Sequence, residues 1–226
     1  MSTDLGPVGA LPWEVTERRG PADQLHFAAA AALDEATVVR HVNVQIADRP
    51  ALILGSHQSE DPFDWWAVSA AGLEVARRKS GGSAVIVGPG RVLWVDFVIP
   101  AGDPLWDDDV GRATWWVGEL WSRAIGGGEV WRGPMRSSAW SKVVCFAGLG
   151  PGEVTVGGRK IVGVSQRRTR RAALFQTAAL LEWHPEEYLG LLAGEVASPA
   201  DLDAVAEGLG SGRGPEVAAS LVSLLS

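Results

Sequence analysis

Apolar and polar residues follow two different spacings along the chain, and the two spacings predict a mixture of helices and strands. Apolar side chains recur every three or four residues over 23–36 and 107–124, which predicts an amphipathic helix in each segment. Three aspartates at the start of the second segment suit the positive N-terminal end of a helix. Residues 38–46 alternate apolar and polar side chains, and residues 51–54 are uniformly apolar, so both segments are predicted to be strands.

Glycine and proline residues divide the rest of the chain into short predicted elements. We expect a helix that Asp61 and Pro62 cap and that ends at Gly72. The remaining predictions are strands over 73–76, 84–87, 91–100, 143–147 and 153–156, a strand or a helix over 172–182, and helices from Pro185, Ser198 and Pro215. The segment Gly88-Pro89-Gly90 is expected to join 84–87 and 91–100 as a hairpin. Because strands and helices do not alternate strictly, the sequence favours an α/β (α+β) fold, with helices packed on a mixed sheet.

The pattern also suggests how the chain is organised. A chain of 226 residues with 46% hydrophobic residues can bury a full core, which favours a single domain. Residues 1–19 are expected to form a loose N-terminal arm that holds Trp13 against the body. The main domain is expected to cover residues 20–195, and residues 196–226 are expected to form a helical C-terminal extension.

Charge and cysteine content exclude several classes of protein. A formal net charge of −7 argues against a nucleic-acid-binding protein, which needs a basic surface. A single cysteine cannot form an intramolecular disulfide, no apolar run reaches about 18 residues, and the N-terminus lacks signal-peptide features. We therefore expect a cytoplasmic protein without a membrane span. One basic cluster is an exception to the acidic character of the chain, and it consists of Arg167, Arg168, Arg170 and Arg171. It is interpreted as a solvated helix start or as a site for an anionic carrier or a phosphate.

Lysine is scarce in this chain, which directs attention to the positions where it occurs. Of the 20 basic residues, only Lys79, Lys142 and Lys160 are lysines. A compact ammonium on a flexible stem can do what a guanidinium cannot, which raises the probability that a retained lysine has a chemical role. Lys160 follows a Gly-Gly turn and precedes an apolar strand, so it could point into a cleft and stabilise charge on a carbonyl or an acyl phosphate. A hairpin lysine in solvent is the alternative.

A second candidate site is the glycine-containing loop between the strands predicted at 73–76 and 84–87. Paired glycines let backbone N–H groups approach an anion closely, and adjacent arginines supply positive charge. The candidate cofactor-binding residues of this loop are Arg77, Arg78, Ser80, Gly81, Gly82, Ser83 and Ala84. The spacing is not that of a P-loop, and an ordinary turn between strands is the alternative.

Cys145 is the third candidate. It lies in an apolar run, so it is either a small buried hydrophobic residue or a thiolate nucleophile activated by a nearby cation. No histidine has metal-ligand spacing with Cys145 or with another histidine, so no metal site is predicted. His57 is the only histidine next to a glycine turn.

Taken in order, these segments resemble the biotin/lipoate protein-ligase superfamily, and within it the lipoate–protein ligases and octanoyltransferases, over about residues 20–195. Four blocks carry the resemblance: residues 51–58, the loop over 77–85, the pair Cys145-Phe146 with Glu153, and residues 158–166 followed by 174–177. The resemblance implies a largely antiparallel sheet flanked by helices, with an acyl tunnel beneath the glycine loop. It adds Gly163 and Ser165 to the candidate cofactor-binding residues, and it implies substrate-binding roles for Gly55, His57, Gln58, Glu153 and Gln176.

The chain departs from the pattern of this superfamily at three places. Ser83 stands where a third glycine is usual, and Val87-Gly88 stands where many members have a histidine. Gln176-Thr177 replaces a common His-Gly pair. Glutamine cannot act as a general base, so the resemblance does not extend to a mechanism that uses that histidine.

The resemblance implies transfer of a lipoyl or octanoyl-type group to a lysine of a small acidic acceptor, a lipoyl domain or a glycine-cleavage H-type protein. In the ligase version, lipoate or octanoate reacts with ATP and Mg²⁺ to form an acyl-adenylate, and Lys160 and Arg78 neutralise the reacting groups. In the transferase version no nucleotide is needed, because Cys145 takes the acyl group from an acyl-carrier-protein thioester. Cys145 precedes Lys160 by 15 positions, the spacing of the cysteine-using branch.

Lys160 and Cys145 are therefore the candidate catalytic residues, with the choice between ligase and transferase left open. A non-catalytic member of the superfamily that binds a ligand or a carrier protein is a third alternative. Biotin transfer fits less well, because the loop is not of the Gly-Arg-Gly-Arg type. The protein is expected to act as a monomer.

Overall fold

The computed structural model describes Val8 and residues 11–35, 37–194 and 198–225. Most of the predicted arm before Trp13, and the first residues of the predicted C-terminal extension, lie outside these described residues. None of the helices within the described segments is long and apolar enough to cross a membrane.

Ten strands form two sheets in the described part of the chain. They are β1 (Glu14–Gly20), β2 (His41–Ala47), β3 (Ala51–Leu54), β4 (Glu74–Arg77), β5 (Val85–Val87), β6 (Val92–Pro100), β7 (Glu129–Val130), β8 (Val154–Val156), β9 (Arg159–Arg168) and β10 (Ala172–Leu180). The main sheet has the order β1-β2-β6-β10-β9-β8-β7, and all its neighbouring strands are antiparallel except β1 and β2. The small sheet has the order β4-β3-β5, with β3 parallel to β4 and antiparallel to β5. The predicted mixed, largely antiparallel architecture is confirmed.

Helices cover both faces of the main sheet. They are α1 (Ala22–Ala31), α2 (Trp65–Ala70), α3 (Trp115–Ala124), α4 (Pro185–Leu189), α5 (Pro199–Asp203) and α6 (Gly214–Leu224). One face of the sheet shares a buried cluster with α3 and α6, to which Phe175, Trp121 and Val217 belong. The C-terminal α6 is therefore part of the main core. The opposite face packs on α1 and on the small sheet through a second cluster that includes Trp94 and Phe146.

Several predicted elements occur where the apolar pattern placed them. Residues 51–54 form β3, whose four side chains are all buried, and the ambiguous segment 172–182 contains the strand β10. Ser198 and Asp201 form a capping box at the start of α5, as their spacing predicted.

The N-terminal arm and the predicted hairpin are corrected by the structure. Residues Glu14–Gly20 are not a loose arm, because they add a parallel strand to the edge of the main sheet. Trp13 does pack on the body, with its ring 6.1 Å from that of Phe97. The segments at 84–87 and 91–100 do not pair with each other, because β5 pairs with β3 and β6 lies between β2 and β10. The intervening Gly-Pro-Gly carries the chain from one sheet to the other.

Two predicted helix starts lie too early in the sequence. The helix predicted from residue 107 begins at Trp115, because Asp107 and Asp109 accept hydrogen bonds from backbone N–H groups two residues ahead and form turns instead. The helix predicted from Asp61 is capped by Asp64, whose carboxylate accepts from the amides of the second and third helical residues.

Two further predictions fail for similar local reasons. The segment 143–147 is not a strand: Cys145–Ala147 forms a single 3₁₀ turn, and Val144 makes an isolated bridge to Ala84. The arginine cluster does not start a helix, because Arg168 ends β9 and the other end of the cluster lies in the bend before β10.

Candidate active site

A row of polar side chains crosses the face of the main sheet that is directed toward the small sheet. Gln176 of β10 is paired with Asp96 of β6 and with Ser165 of β9, so the three side chains point to the same face. Ser80 approaches this row from the glycine loop. Its hydroxyl donates to Oε1 of Gln176 at 2.7 Å and lies 3.0 Å from Oγ of Ser165. Ser80 thus ties the loop to the sheet.

The two arginines of the glycine loop hold backbone carbonyl groups of the loop and its neighbours. Arg78 is 4% exposed, and its Nη2 donates to the carbonyl oxygens of Gly81 at 2.8 Å and Ser83 at 2.9 Å. Arg77 is turned the other way, and its Nη1 donates to the carbonyl oxygens of Gly55 at 2.8 Å and Gln58 at 2.9 Å. Both guanidinium groups are therefore engaged in fixing the conformation of the loop.

At Gly55 and Gly82, the backbone that follows β3 packs directly against the backbone of the glycine loop. A Cβ atom on Gly55 would lie 1.7 Å from the carbonyl oxygen of Gly82, so a side chain at this position cannot be accommodated without displacing the loop. Gly82 itself has a φ of 98°, a conformation that favours glycine. A Cβ atom on Gly82 would lie 2.6 Å from Nη2 of Arg78 and 4.0 Å from Sγ of Cys145, so the three residues meet at one point.

Cys145 is half-buried at the start of the 3₁₀ turn, next to the Arg78 guanidinium. Its backbone N–H donates to the carbonyl oxygen of Ala84 at 2.8 Å, which ties the turn to the end of the glycine loop. Burial lowers the pKa of Arg78, and the charge and hydrogen bond of the Cys145 side chain, together with the charge of Glu153, act in the opposite direction. A guanidinium beside a sulfur gives a cysteine the electropositive surroundings that are typical of nucleophilic cysteines.

Lys160 holds the other side of the same turn. Its side chain is 2% exposed, and its ammonium lies 3.0 Å from the carbonyl oxygens of Cys145 and Gly148 and 2.7 Å from Oε1 of Glu153. These three acceptors account for the three N–H bonds of an ammonium group. The ammonium also lies 4.9 Å from the centre of the Phe146 ring. In this arrangement Lys160 positions the turn that carries Cys145.

Glu153 completes this buried group. Besides the lysine, its carboxylate accepts hydrogen bonds from the amides of Gly150 at 2.6 Å and Val164 at 3.1 Å. Because the carboxylate is satisfied from three sides, a buried ion pair is possible here without an unpaired charge. The acidic residue that the sequence placed near the substrate is thus the partner of Lys160.

A mostly apolar cavity lies between the main sheet and the loop. The predicted site residues that line it are Arg78, Cys145, Gly163, Ser165 and Gln176. The walls are completed by Val85, Val87, Trp94, Phe146 and Ala178, and by the imidazole of His26 from α1. The cavity is therefore a mostly apolar pocket with the candidate nucleophile in its wall.

Two buried titratable groups lie near this cavity. Burial and, to a smaller extent, the charge of Arg78 together lower the pKa of His26 to about 3, so the imidazole is neutral. Burial raises the pKa of Asp96 to about 7, against the effect of hydrogen bonds from Trp94, Gln45 and Gln176. Within the described residues, no group of three or more His, Cys, Asp or Glu side chains could hold a metal ion.

The remaining predicted site residues lie outside the cavity lining. His57 is exposed, and its imidazole lies 2.9 Å from the hydroxyl of Ser56. Gln58 braces the segment before Cys145, because its amide donates to the carbonyl oxygen of Val143 at 3.0 Å. Ser83 is buried against the same segment, with its hydroxyl bonded to the carbonyl oxygen of Ser141. Gln58 and Ser83 thus support the loops that form the site.

The sequence predictions missed His26, Trp94 and Asp96. His26 comes from a helix 150 residues before Gln176 in the sequence, yet its Nδ1 lies 2.9 Å from Nε2 of Gln176. The signal was present, because His26 lies on the buried face of α1 with Leu25 and Ala29. A polar side chain on an otherwise apolar helix face needs a buried partner, which the sequence alone does not identify.

Comparisons with known proteins agree with this architecture. The sequence model of the lipoyl protein ligase A/B catalytic domain family matches residues 32–204. Octanoyltransferase LipM from Kyrpidia tusciae is 28% identical over 178 residues, which cover 71% of this chain and 64% of that protein. The chain thus spans just under two thirds of the length of this curated relative.

Solved structures show the same fold. Lipoate-protein ligase A bound with ATP has a TM-score of 0.71 at 19% identity, over 96% of this chain and 85% of that chain. A bipartite lipoate protein ligase from Thermoplasma acidophilum, studied with its E2 lipoyl domain, has a TM-score of 0.71 at 16% identity, over 96% and 83% of the two chains. Since the family match covers well over half of the sequence, the chain belongs to the lipoyl protein ligase A/B catalytic domain family.

Proposed function

We propose that this protein is an acyltransferase that moves an octanoyl or related acyl group from a carrier-protein thioester, through Cys145, to a lysine of an acceptor domain. The observation that carries the proposal is the position of Cys145, whose side chain lines the apolar cavity beside the buried guanidinium of Arg78. The similarity to octanoyltransferase LipM supports the same reaction class.

The chemistry would proceed in two acyl-transfer steps. In the first, Sγ of Cys145 attacks the carbonyl carbon of the donor thioester, a new carbon–sulfur bond forms, and the carrier thiol leaves with the proton of the cysteine. In the second, the amine of the acceptor lysine attacks the acyl-cysteine, an amide bond forms, and the Cys145 thiol is regenerated. Neither step needs a nucleotide or a metal ion.

Lys160 acts in this scheme as a positioning residue. Its ammonium holds the carbonyl oxygens at both ends of the turn that carries Cys145, and Glu153 holds the ammonium. A nucleophile placed by a rigid turn avoids the loss of rate that follows from a displaced reacting atom. The buried ion pair thus supports the reaction through the geometry of Cys145.

An ATP-dependent ligase is the second candidate, favoured by the fold shared with lipoate-protein ligase A bound with ATP. This version needs cations for the phosphate and the acyl carboxylate. Arg78 donates to two loop carbonyls, and Lys160 is bonded to two carbonyls and Glu153. These two cations do not fit a nucleotide phosphate in this arrangement, so the transferase is preferred.

The proposed acceptor is a lipoyl domain or an H-type protein of the glycine-cleavage system. The support comes from the Thermoplasma acidophilum ligase, which was studied together with its E2 lipoyl domain. Such an acceptor presents a lysine on a small folded domain, and the half-exposed Cys145 is accessible to an incoming amine.

Intact-mass spectrometry of the purified protein mixed with octanoyl-carrier protein tests the proposal. We expect the mass to increase by one octanoyl group and the increase to disappear when a lipoyl domain is added. Cys145→Ser should abolish the increase. His57→Ala, the control, should retain it. Pyrophosphate exchange that depends on octanoate or lipoate and survives Cys145→Ser would support the ligase instead. If neither the acyl adduct nor pyrophosphate exchange is observed, the proposal is overturned and a non-catalytic binding protein is the remaining alternative.

A further inference from the structure

The His26 imidazole gives the apolar cavity one polar feature that acyl transfer through Cys145 does not use. His26 is 6% exposed and lines the cavity, with its ring 4.3 Å from that of Trp94. One ring nitrogen, Nδ1, lies 2.9 Å from Nε2 of Gln176. The other, Nε2, is buried and has no hydrogen-bond partner among the described residues.

The tautomer of His26 follows from its neighbours. Oε1 of Gln176 accepts the hydroxyl of Ser80 at 2.7 Å, which places the amide nitrogen of Gln176 toward His26 and toward the Asp96 carboxylate. An amide nitrogen donates, so Nδ1 of His26 must present its lone pair. A neutral imidazole then carries its proton on Nε2. The unpartnered atom is therefore an N–H donor.

The register of the main sheet relates the surroundings of this donor to those of the Cys145 turn. Phe146, the residue after Cys145, packs on Gly163 of β9. Gly163 is paired with Ala178 of β10, and Ala178 with Trp94 of β6, on which His26 stacks. Two strand spacings separate β9 from β6, or about 10 Å. His26 and the turn that carries Cys145 thus line the cavity from positions over different strands.

We infer that this cavity recognises an acyl chain that carries a hydrogen-bond-accepting oxygen, an oxo or hydroxyl group, and that His26 is the residue that selects it. The inference rests on the proposed binding of an acyl group in the cavity. A buried donor without a partner is costly, and a ligand oxygen would satisfy it.

A saturated chain of the same length would leave the donor unsatisfied. Sites that hydrogen-bond a substrate group discriminate strongly against an analogue that lacks it, because the polar group of the protein is then buried without a partner. A water molecule at Nε2 is the competing explanation, and it would give no preference between the two kinds of chain.

Calorimetric binding of free acids to the whole protein tests this inference without any acyl transfer. The probes are octanoic acid and the isomeric oxo-octanoic acids with the oxo group at carbon 4, 5, 6 or 7. We expect at least one oxo acid to bind about 10-fold more tightly than octanoic acid. His26→Leu should abolish this preference, whereas His26→Gln, which keeps an N–H donor, should retain part of it.

The outcomes separate this inference from the proposed function. If octanoic acid binds as tightly as every oxo acid, or if His26→Leu keeps the preference, the role of His26 is wrong while acyl transfer through Cys145 stands. If no acid binds, the cavity is not an acyl site and this inference is overturned. Failure of the proposed function would instead appear as the absence of an acyl adduct on Cys145.

Discussion

The ammonium of Lys160 lies 2.7 Å from the carboxylate of Glu153, and the two side chains are only 2% and 6% exposed. The pair joins the core of the main sheet to the turn that carries Cys145, because the same ammonium binds the carbonyl oxygens of Cys145 and Gly148. Loss of this ion pair is therefore expected both to destabilise the protein and to displace Cys145.

Replacement of Lys160 by methionine should be strongly destabilising. It removes the charge that compensates a buried carboxylate, and breaking a buried ion pair in this way costs about 3–5 kcal/mol. Urea unfolding measures the difference. Arg159→Met is the matched control, because the adjacent Arg159 pairs with Glu207 on the surface and should lose less than about 1 kcal/mol. Equal effects of the two substitutions would contradict a buried structural role for Lys160.

Replacement of Gly55 by alanine should disrupt the glycine loop. The new Cβ atom would lie 1.7 Å from the carbonyl oxygen of Gly82, so the loop must move, at a cost of about 1–3 kcal/mol or more. Thermal unfolding and the rate of acyl-adduct formation should both report the change. Gly81→Ala is the control, because a Cβ atom there meets nothing within 4 Å and should change stability by less than about 0.5 kcal/mol.

Local patterns predicted the elements that are buried on all sides, and they failed where long-range contacts decide the structure. The apolar run at 51–54 was sufficient to identify β3. The hairpin at 84–100 was wrong because the pairing of β5 with β3 and of β6 with β10 is a property of two sheets that no local turn encodes. Residues 143–147 were predicted as a strand because they form an apolar run, but Lys160 binds the carbonyl oxygens of Cys145 and Gly148 and holds the segment in a turn.

For the candidate site, the sequence predicted which residues take part but not the contacts that they make. The spacing of Cys145 and Lys160 and the arginines of the loop identified residues that the fold brings together. Their contacts were not predictable, because the sequence does not distinguish an arginine that binds backbone carbonyls of its own loop from one that binds a ligand. His26 was missed for the reason that its partner, Gln176, is 150 residues away in the sequence.

Asp96 should make the stability of the protein depend on pH. Its pKa is raised from 3.8 to about 7 in the folded protein, so the folded state holds the proton more tightly than the unfolded state. The resulting stabilisation is fully present below about pH 4 and is lost as the pH rises to about 7. Relative to Asp96→Asn, the wild-type protein should lose about 2–3 kcal/mol between pH 5 and pH 8, measured by urea unfolding at both pH values. Parallel pH profiles of the two proteins would contradict this burial effect.

Arg78 should control the reactivity of Cys145. Its guanidinium is 4% exposed, it donates to the carbonyl oxygens of Gly81 and Ser83, and it contacts the cysteine side chain. A lysine at this position has one compact charge and cannot make these bonds together, so the cation would be displaced from the sulfur. We expect Arg78→Lys to slow alkylation of Cys145 by iodoacetamide at pH 7 about 10-fold, because reactive cysteines depend on an electropositive neighbour.

Arg77→Lys is the control that separates reactivity from damage to the loop. Arg77 also donates to two backbone carbonyls, those of Gly55 and Gln58, but it lies on the side of the loop away from the cavity. Arg78→Lys should cost more stability, because Arg78 is buried and Arg77 is exposed, and only Arg78→Lys should slow the alkylation. If the two variants are alkylated at the same rate, Arg78 supports the loop without acting on the sulfur. A slower rate for Arg78→Lys alone, in protein that its urea curve shows to be folded under the assay conditions, would assign the guanidinium to the nucleophile.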